Sequence, residues 1–205
     1  MLPRRLSTTA RAAKLYAPVR TAAPCEQPLT LAEVKAHCRV DGDDDDALLT
    51  GLLASAVDHL DGYRGILGRA LVAQTWRQDF DGFDSILRLP LPAAFISKIS
   101  WRNVSGTATE VTSASYALRA DSLGSYVEFA DGFAAPVNLA SRAAVSVEYI
   151  AGTAPADVPP ALKAAILLLV GHWYANRETV NVGNISTALP FTVDALIAPF
   201  QRVGV

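Results

Sequence analysis

The sequence predicts an α+β fold: a helical bundle of two N-terminal helices and one long C-terminal helix, with a small antiparallel β unit inserted and extended N- and C-terminal arms. Three observations carry this. Val158–Glu178, VPPALKAAILLLVGHWYANRE, is the longest apolar helical run, with Lys163 its only charge between Ala161 and Gly171. Two shorter segments with helical spacing precede residue 70. Between residues 71 and 152 the apolar period falls to two.

In the long run, Leu162, Ile166, Leu169 and Val170 form one stripe while Leu167 and Leu168 face elsewhere, so the helix must be covered on several sides. Asp157 is placed to cap it, and Pro159 and Pro160 fall in a first turn, where a missing N–H is no loss. The run is far shorter than the roughly twenty apolar residues of a membrane span, so no membrane partner is expected.

Residues 1–28 read as a flexible basic arm. Arg4, Arg5, Arg11, Lys14 and Arg20 precede the first acid, Glu26, and Pro3, Pro18, Pro24 and Pro28 interrupt any pattern. An Arg- and Ser-rich, acid-free start also has the composition of an organellar transit peptide. Thr30 and Glu33 then make a T-x-x-E capping box, with Leu31, Val34 and Cys38 at helical spacing, so a short helix starts here and ends near Arg39.

Asp41-Gly42-Asp43-Asp44-Asp45-Asp46 invites comparison with a calcium loop. The sixth place, which needs glycine, is Asp46, and the twelfth, which needs a bidentate carboxylate, is Leu52, so the loop fails. The acids read instead as the cap and electrostatic start of a second helix. Its Leu49, Leu52, Leu53, Val57, Leu60 and Tyr63 share one broad face, and Gly62, Gly65 and Gly68 end it.

In the β unit, Trp76 and Phe80 oppose Arg77 and Asp79; Phe95, Ile99 and Trp101 oppose Lys98, Ser100 and Arg102; Val145, Val147 and Tyr149 oppose Ser146 and Glu148. Further strands are expected at 86–89, 116–120 and 126–129. The helical parts, 29–70 and 153–180, thus flank the β unit at 71–152. The tail, 181–205, holds a short amphipathic helix, Thr192–Phe200, whose Val193, Leu196, Ile197 and Phe200 need a surface to dock on.

At 205 residues and 51% hydrophobic, the chain suits one domain or two small ones with a real core. Its net charge of −2 gives no sign of a nucleic-acid binder. With five of eighteen bases in the arm, thirteen face twenty acids, so the body carries about −7. Cys25 and Cys38 form no CxxC pair and follow no secretory segment, which makes a reduced cytosolic chain the expectation.

No GxSxG, P-loop, GxGxxG or HExxH occurs, nor any clustered Cys/His set. His37, His59 and His172 stand singly on helices, and His172 has no nucleophile or orienting acid beside it in sequence. Asn103-Val104-Ser105 and Asn184-Ile185-Ser186 match glycosylation acceptors by chance, and Trp76, Trp101 and Trp173 fit core packing better than base stacking. The expectation is a non-enzyme without metal or cofactor; an enzyme with an unrecognised site, or an interaction module on the same helical frame, are the alternatives.

Leu29–Phe83 and Val145–Glu178 resemble the head-tail connector family of tailed bacteriophages, the gp6-like or phiE125 gp8-like group, which includes the adaptor of gene transfer agents. The motifs are Thr30–Lys35 (T-L-A-E-x-K), the acidic turn Asp41–Asp46, Gly68–Leu71 (Gly-Arg-x-Leu), Gln74–Trp76 (Gln-x-Trp) and Pro160–Glu178. The resemblance implies a structural virion protein forming a twelvefold homo-oligomeric ring beneath the portal. That ring would join capsid to stopper or tail at the particle neck and pass double-stranded DNA without sequence specificity, after assembly in the bacterial cytoplasm. On this view Val193, Leu196, Ile197, Phe200 and Arg202 are expected to dock on the portal. Asp43, Asp44, Asp45 and Asp46, with Arg4, Arg5 and Arg11, are expected at the subunit interface. The basic arm is longer than the family pattern.

Overall fold

The computed structural model describes residues 16–177 and 191–202. It is α+β, with four α-helices among the described residues and two antiparallel sheets. Helix α1 (Leu31–Cys38) begins on its capping box. The Thr30 hydroxyl accepts from the Glu33 amide at 3.2 Å, and the Glu33 carboxylate accepts from the Thr30 amide at 2.7 Å. Arg39, left-handed at φ 58°, ends the helix.

Helix α2 (Asp46–Leu60) buries Leu49, Leu53, Val57 and Leu60; α3 (Pro160–Ala175) buries Leu162, Ala165, Ile166, Leu169 and Val170; α4 (Phe191–Ile197) buries Val193 and Ile197. These faces meet in one apolar cluster completed by Leu29, Leu67, Leu71, Val72 and Val158. Helix α3 packs against α1, α2 and α4 at once, which explains its apolar character on several sides. Asp157 does not cap it. Pro160 takes the first helical position, so the cap falls to Pro159, and Asp157 closes a separate 3₁₀ turn two residues too early.

The larger sheet comprises β1 (Val19–Ala22), β2 (Gln74–Phe80), β4 (Ala93–Arg102), β5 (Ala108–Glu110) and β8 (Val145–Ala151), in the order β1-β2-β8-β4-β5. The smaller comprises β3 (Ile86–Arg88), β6 (Tyr116–Asp121) and β7 (Gly124–Phe129), in the order β3-β7-β6. Trp76, Ile96, Ile99, Val145, Val147 and Tyr149 from the first sheet share a core with Leu87 and Val127 from the second. Alternation in the sequence pairs Phe95 with Ile99, but Ile96 is buried and Phe95 is 58% exposed. Pairing irregularities between Ala93 and Phe95 and between Ile96 and Lys98 shift the side-chain parity of β4.

The chain enters and leaves this β region side by side: the Ala73 amide donates to the Thr153 carbonyl at 2.9 Å, and the Thr153 amide to the Leu71 carbonyl at 3.2 Å. Gly152, at φ 96°, allows that approach, since a Cβ there would run into the Val72 backbone.

The basic arm was expected to be free to residue 28, yet β1 lies within it and pairs with β2. Tyr16 donates its hydroxyl to Asp81 at 2.7 Å, and the Gln78 amide donates to the Tyr16 carbonyl at 2.8 Å. Between Tyr16 and Ala22 the segment is docked on the sheet, while Arg4, Arg5, Arg11 and Lys14 lie outside the described residues.

Candidate assembly surfaces

Among the described residues no group of His, Cys, Asp and Glu is placed to hold a metal, and no helix is long and apolar enough to cross a membrane. His59 meets the Trp173 ring edge-on at 6.3 Å between centroids, a packing contact between α2 and α3. Three surface features stand out among the described residues.

The acidic turn between α1 and α2 is the first. Asp45 is the N-cap of α2 but makes no side-chain cap bond. Its carboxylate instead accepts from the Tyr174 hydroxyl and from Arg177 Nη2 at 3.2 Å, both at the end of α3. The Tyr174 bond holds the Asp45 carboxyl below its usual range; desolvation opposes it, and Arg177 adds to the lowering. Lys35 on α1 reaches Asp43 and Asp46, each at 2.7 Å, which lowers the Asp43 pKa and raises that of Lys35. The turn thus ties three helices together within one chain. Lys35 stands eight residues before Asp43, a spacing that α1 and one turn can close. Tyr174 and Arg177 lie about 130 residues away in sequence, and no local pattern announces them.

The C-terminal segment is the second. The apolar face that needs a surface to dock on finds one on its own chain. Val193 and Ile197 are buried in the helical cluster, with Leu196 and Phe200 half-buried against it. Helix α3 supplies this surface, because its several apolar sides leave one open for α4. Arg202 continues the docking. Its amide donates to the Leu67 carbonyl at 2.9 Å, and its guanidinium donates to the carbonyls of Pro90 and Leu123. It thereby spans both layers. Gly124, at φ 119°, makes room for the guanidinium, which any Cβ there would strike.

The third surface is the outer face of the larger sheet. Arg77 pairs with Asp79 and Lys98 with Glu148, each at 3.2 Å, around an open cleft of about 350 Å³ that Arg102, Ser100 and Ser146 complete. Sequence alternation shows these residues sharing a face, but not the cleft they make.

Residues 28–85 match the phage gp6-like head-tail connector protein family. That connector-like segment contains α1, the acidic turn, α2 and β2, so the resemblance read from Thr30–Lys35, Asp41–Asp46, Gly68–Leu71 and Gln74–Trp76 is borne out. No curated protein sequence matches the chain significantly. Solved structures extend the likeness in fold. A chain in the neck of an empty gene transfer agent particle, computed with C6 symmetry, superposes with a TM-score of 0.74 at 24% identity, over 93% of this chain and 97% of that one. A chain in the neck of a native particle, computed with C12 symmetry, gives 0.71 at 22% identity with the same coverage. A chain in the virion of a native gene transfer agent particle gives 0.71 at 24% identity, again with that coverage.

Proposed function

We propose that this chain is a structural head-tail connector, an adaptor that forms a homo-oligomeric ring under the portal, extends the DNA channel and joins the capsid to the stopper or tail. The observation that carries this is a fold shared over 93% of the chain with a gene transfer agent neck protein, together with the connector-family match at residues 28–85. The layout is a helical bundle, 29–70 and 153–180, with the β unit 71–152 inserted, and the adjacency of Leu71–Ala73 to Thr153 supports that division. The chain has no catalytic role and acts through its surfaces, in the neck of a virion or phage-like particle assembled in the bacterial cytoplasm.

Portal docking by residues 181–205 has to use what the fold leaves available: the exposed side of α4 at Thr192, Asp194 and Ala195, and the half-buried Leu196 and Phe200. Val193, Ile197 and Arg202 secure the segment. The bases Arg4, Arg5 and Arg11 reach an acidic flank of a neighbouring subunit or the portal, where contacts sum across the ring. The deciding experiment is to purify particles from the producing cells and locate the chain by electron microscopy with a C-terminal tag. Density at the neck in a ring beneath the portal is expected, and its absence from particles, or a place elsewhere in them, overturns the proposal.

A further inference from the structure

On the outer face of the larger sheet, strand register aligns Arg77, Glu148 and Lys98 in one row and Asp79, Ser146 and Ser100 in the next. The two ion pairs there are not level. Asp79 and Glu148 are 18% and 27% exposed, while their partners Arg77 and Lys98 are 40% and 45% exposed. The acids line the floor and the cations form the rim. Arg102 adds a third rim cation; it donates to the Ala143 carbonyl at 2.9 Å, and among the described residues no carboxylate pairs with it. Phe95 stands exposed on the same face. A cationic rim beside an open aromatic ring is the composition of a protein-binding surface, where Arg and aromatic residues are enriched. It suits nucleic acid less well, because the two floor carboxylates break the rim into separate cationic points, which discrete side chains can meet and a continuous phosphate backbone cannot.

The acidic turn supplies the complement. Asp43, Asp45 and Asp46 are held by Lys35, Tyr174 and Arg177, yet among the described residues no cation pairs with Asp41 or Asp44, both exposed. The holding groups all belong to the helical layer, whereas the cleft lies on the outer face of the larger sheet. We propose that Asp41 and Asp44 of one copy seat against Lys98 and Arg102 of the next, so that turn and cleft form a head-to-tail contact. Two different patches on each copy make that contact heterologous, the kind that closes into a ring by rotation. This rests on the reading of the chain as a ring-forming connector.

The test is a charge swap read as incorporation into particles. One variant carries Lys98→Glu and Arg102→Glu, the other Asp41→Lys and Asp44→Lys, and circular-dichroism melting checks that each folds. If Lys98→Glu disturbs the sheet by setting a second carboxylate against Glu148, Lys98→Gln with Arg102→Gln takes its place as the loss-of-contact arm, and as the sole copy it should also lose incorporation. Each reversed variant alone should lose incorporation by about tenfold or more, because like charges then meet across the contact. Co-expressed, they should restore it, because each turn again faces a cleft of opposite charge. Normal incorporation of either variant alone overturns the inference, and so does loss that co-expression does not repair. Normal incorporation with weaker DNA retention by the cleft variant would assign the rim to nucleic acid instead. Absence of the wild-type chain from necks would overturn the connector reading itself, a result separable from all of these.

Discussion

The two ends of the described chain are fastened by different physics. The N-terminal end lies on the sheet as β1, exposed along its whole length, and is held by polar contacts: Tyr16 to Asp81, Gln78 to the Tyr16 carbonyl, and Arg20 to Gln74. The C-terminal end buries Val193 and Ile197 and adds the Arg202 clasp only at its limit. Polar fastening in water is nearly an exchange of partners, whereas apolar burial removes surface from water outright. The first should therefore respond to pH and be locally reversible, and the second should contribute to global stability.

The largest expected effect breaks the apolar end. Ile197→Ala should lower stability by about 2–5 kcal/mol in urea unfolding, as for a fully buried aliphatic residue. Asp61→Ala comes next. Its buried carboxylate accepts from the Leu71 amide at 2.6 Å and from Gln74 Nε2 at 2.8 Å, with Arg20 Nη1 at 3.8 Å, so its loss strands two donors and unhooks β1. About 1–3 kcal/mol is expected, together with faster hydrogen exchange in β1 than in α4.

Gly124→Ala should lower stability by about 1–2 kcal/mol, through positive φ and collision with the Arg202 guanidinium. Combined with Arg202→Ala it should lower stability by less than the sum of the two, because both act on one contact. Tyr16→Phe should lower it least, because its hydroxyl trades Asp81 for water. The hydrogen bond to Asp81 raises the Tyr16 pKa above 10.0, so this contribution is complete below that value and is lost as pH rises through the higher folded value. Alkaline titration should loosen the N-terminal end in wild type, and Tyr16→Phe should remove that part of the titration.

Both ends look like free arms in the sequence, and the reason is physical. Capping boxes, glycine stops and apolar stripes are local, so α1, α2 and α3 and the alternation of β2 and β8 could be read directly, with boundaries close to those observed. A docked end has no such signature. Val19–Ala22 carries no alternation, and its partner β2 lies more than fifty residues away. The face of α4 was legible, but not the groove on α3 that receives it. The acidic turn reads as a helix start in the sequence, while its partners Tyr174 and Arg177 come from the far end of the helical layer. Phe95 was misplaced because pairing irregularities are set by strand register, which single-strand alternation does not contain.

The place of β8 also determines when the chain can fold during its synthesis. Strands β2 and β4 each pair with β8 and not with each other, so the centre of the larger sheet is the last strand made. The leucines of α1 and α2 likewise wait for α3. On a ribosome adding roughly 5–20 residues each second, the first 150 residues emerge with neither core able to close. Arrested nascent chains ending before Ala151 should be digested readily by protease, whereas chains that have exposed all of α3 should resist. Until then the growing polypeptide shows water two unfilled apolar surfaces, which makes it a client for holding chaperones before it can become part of any particle.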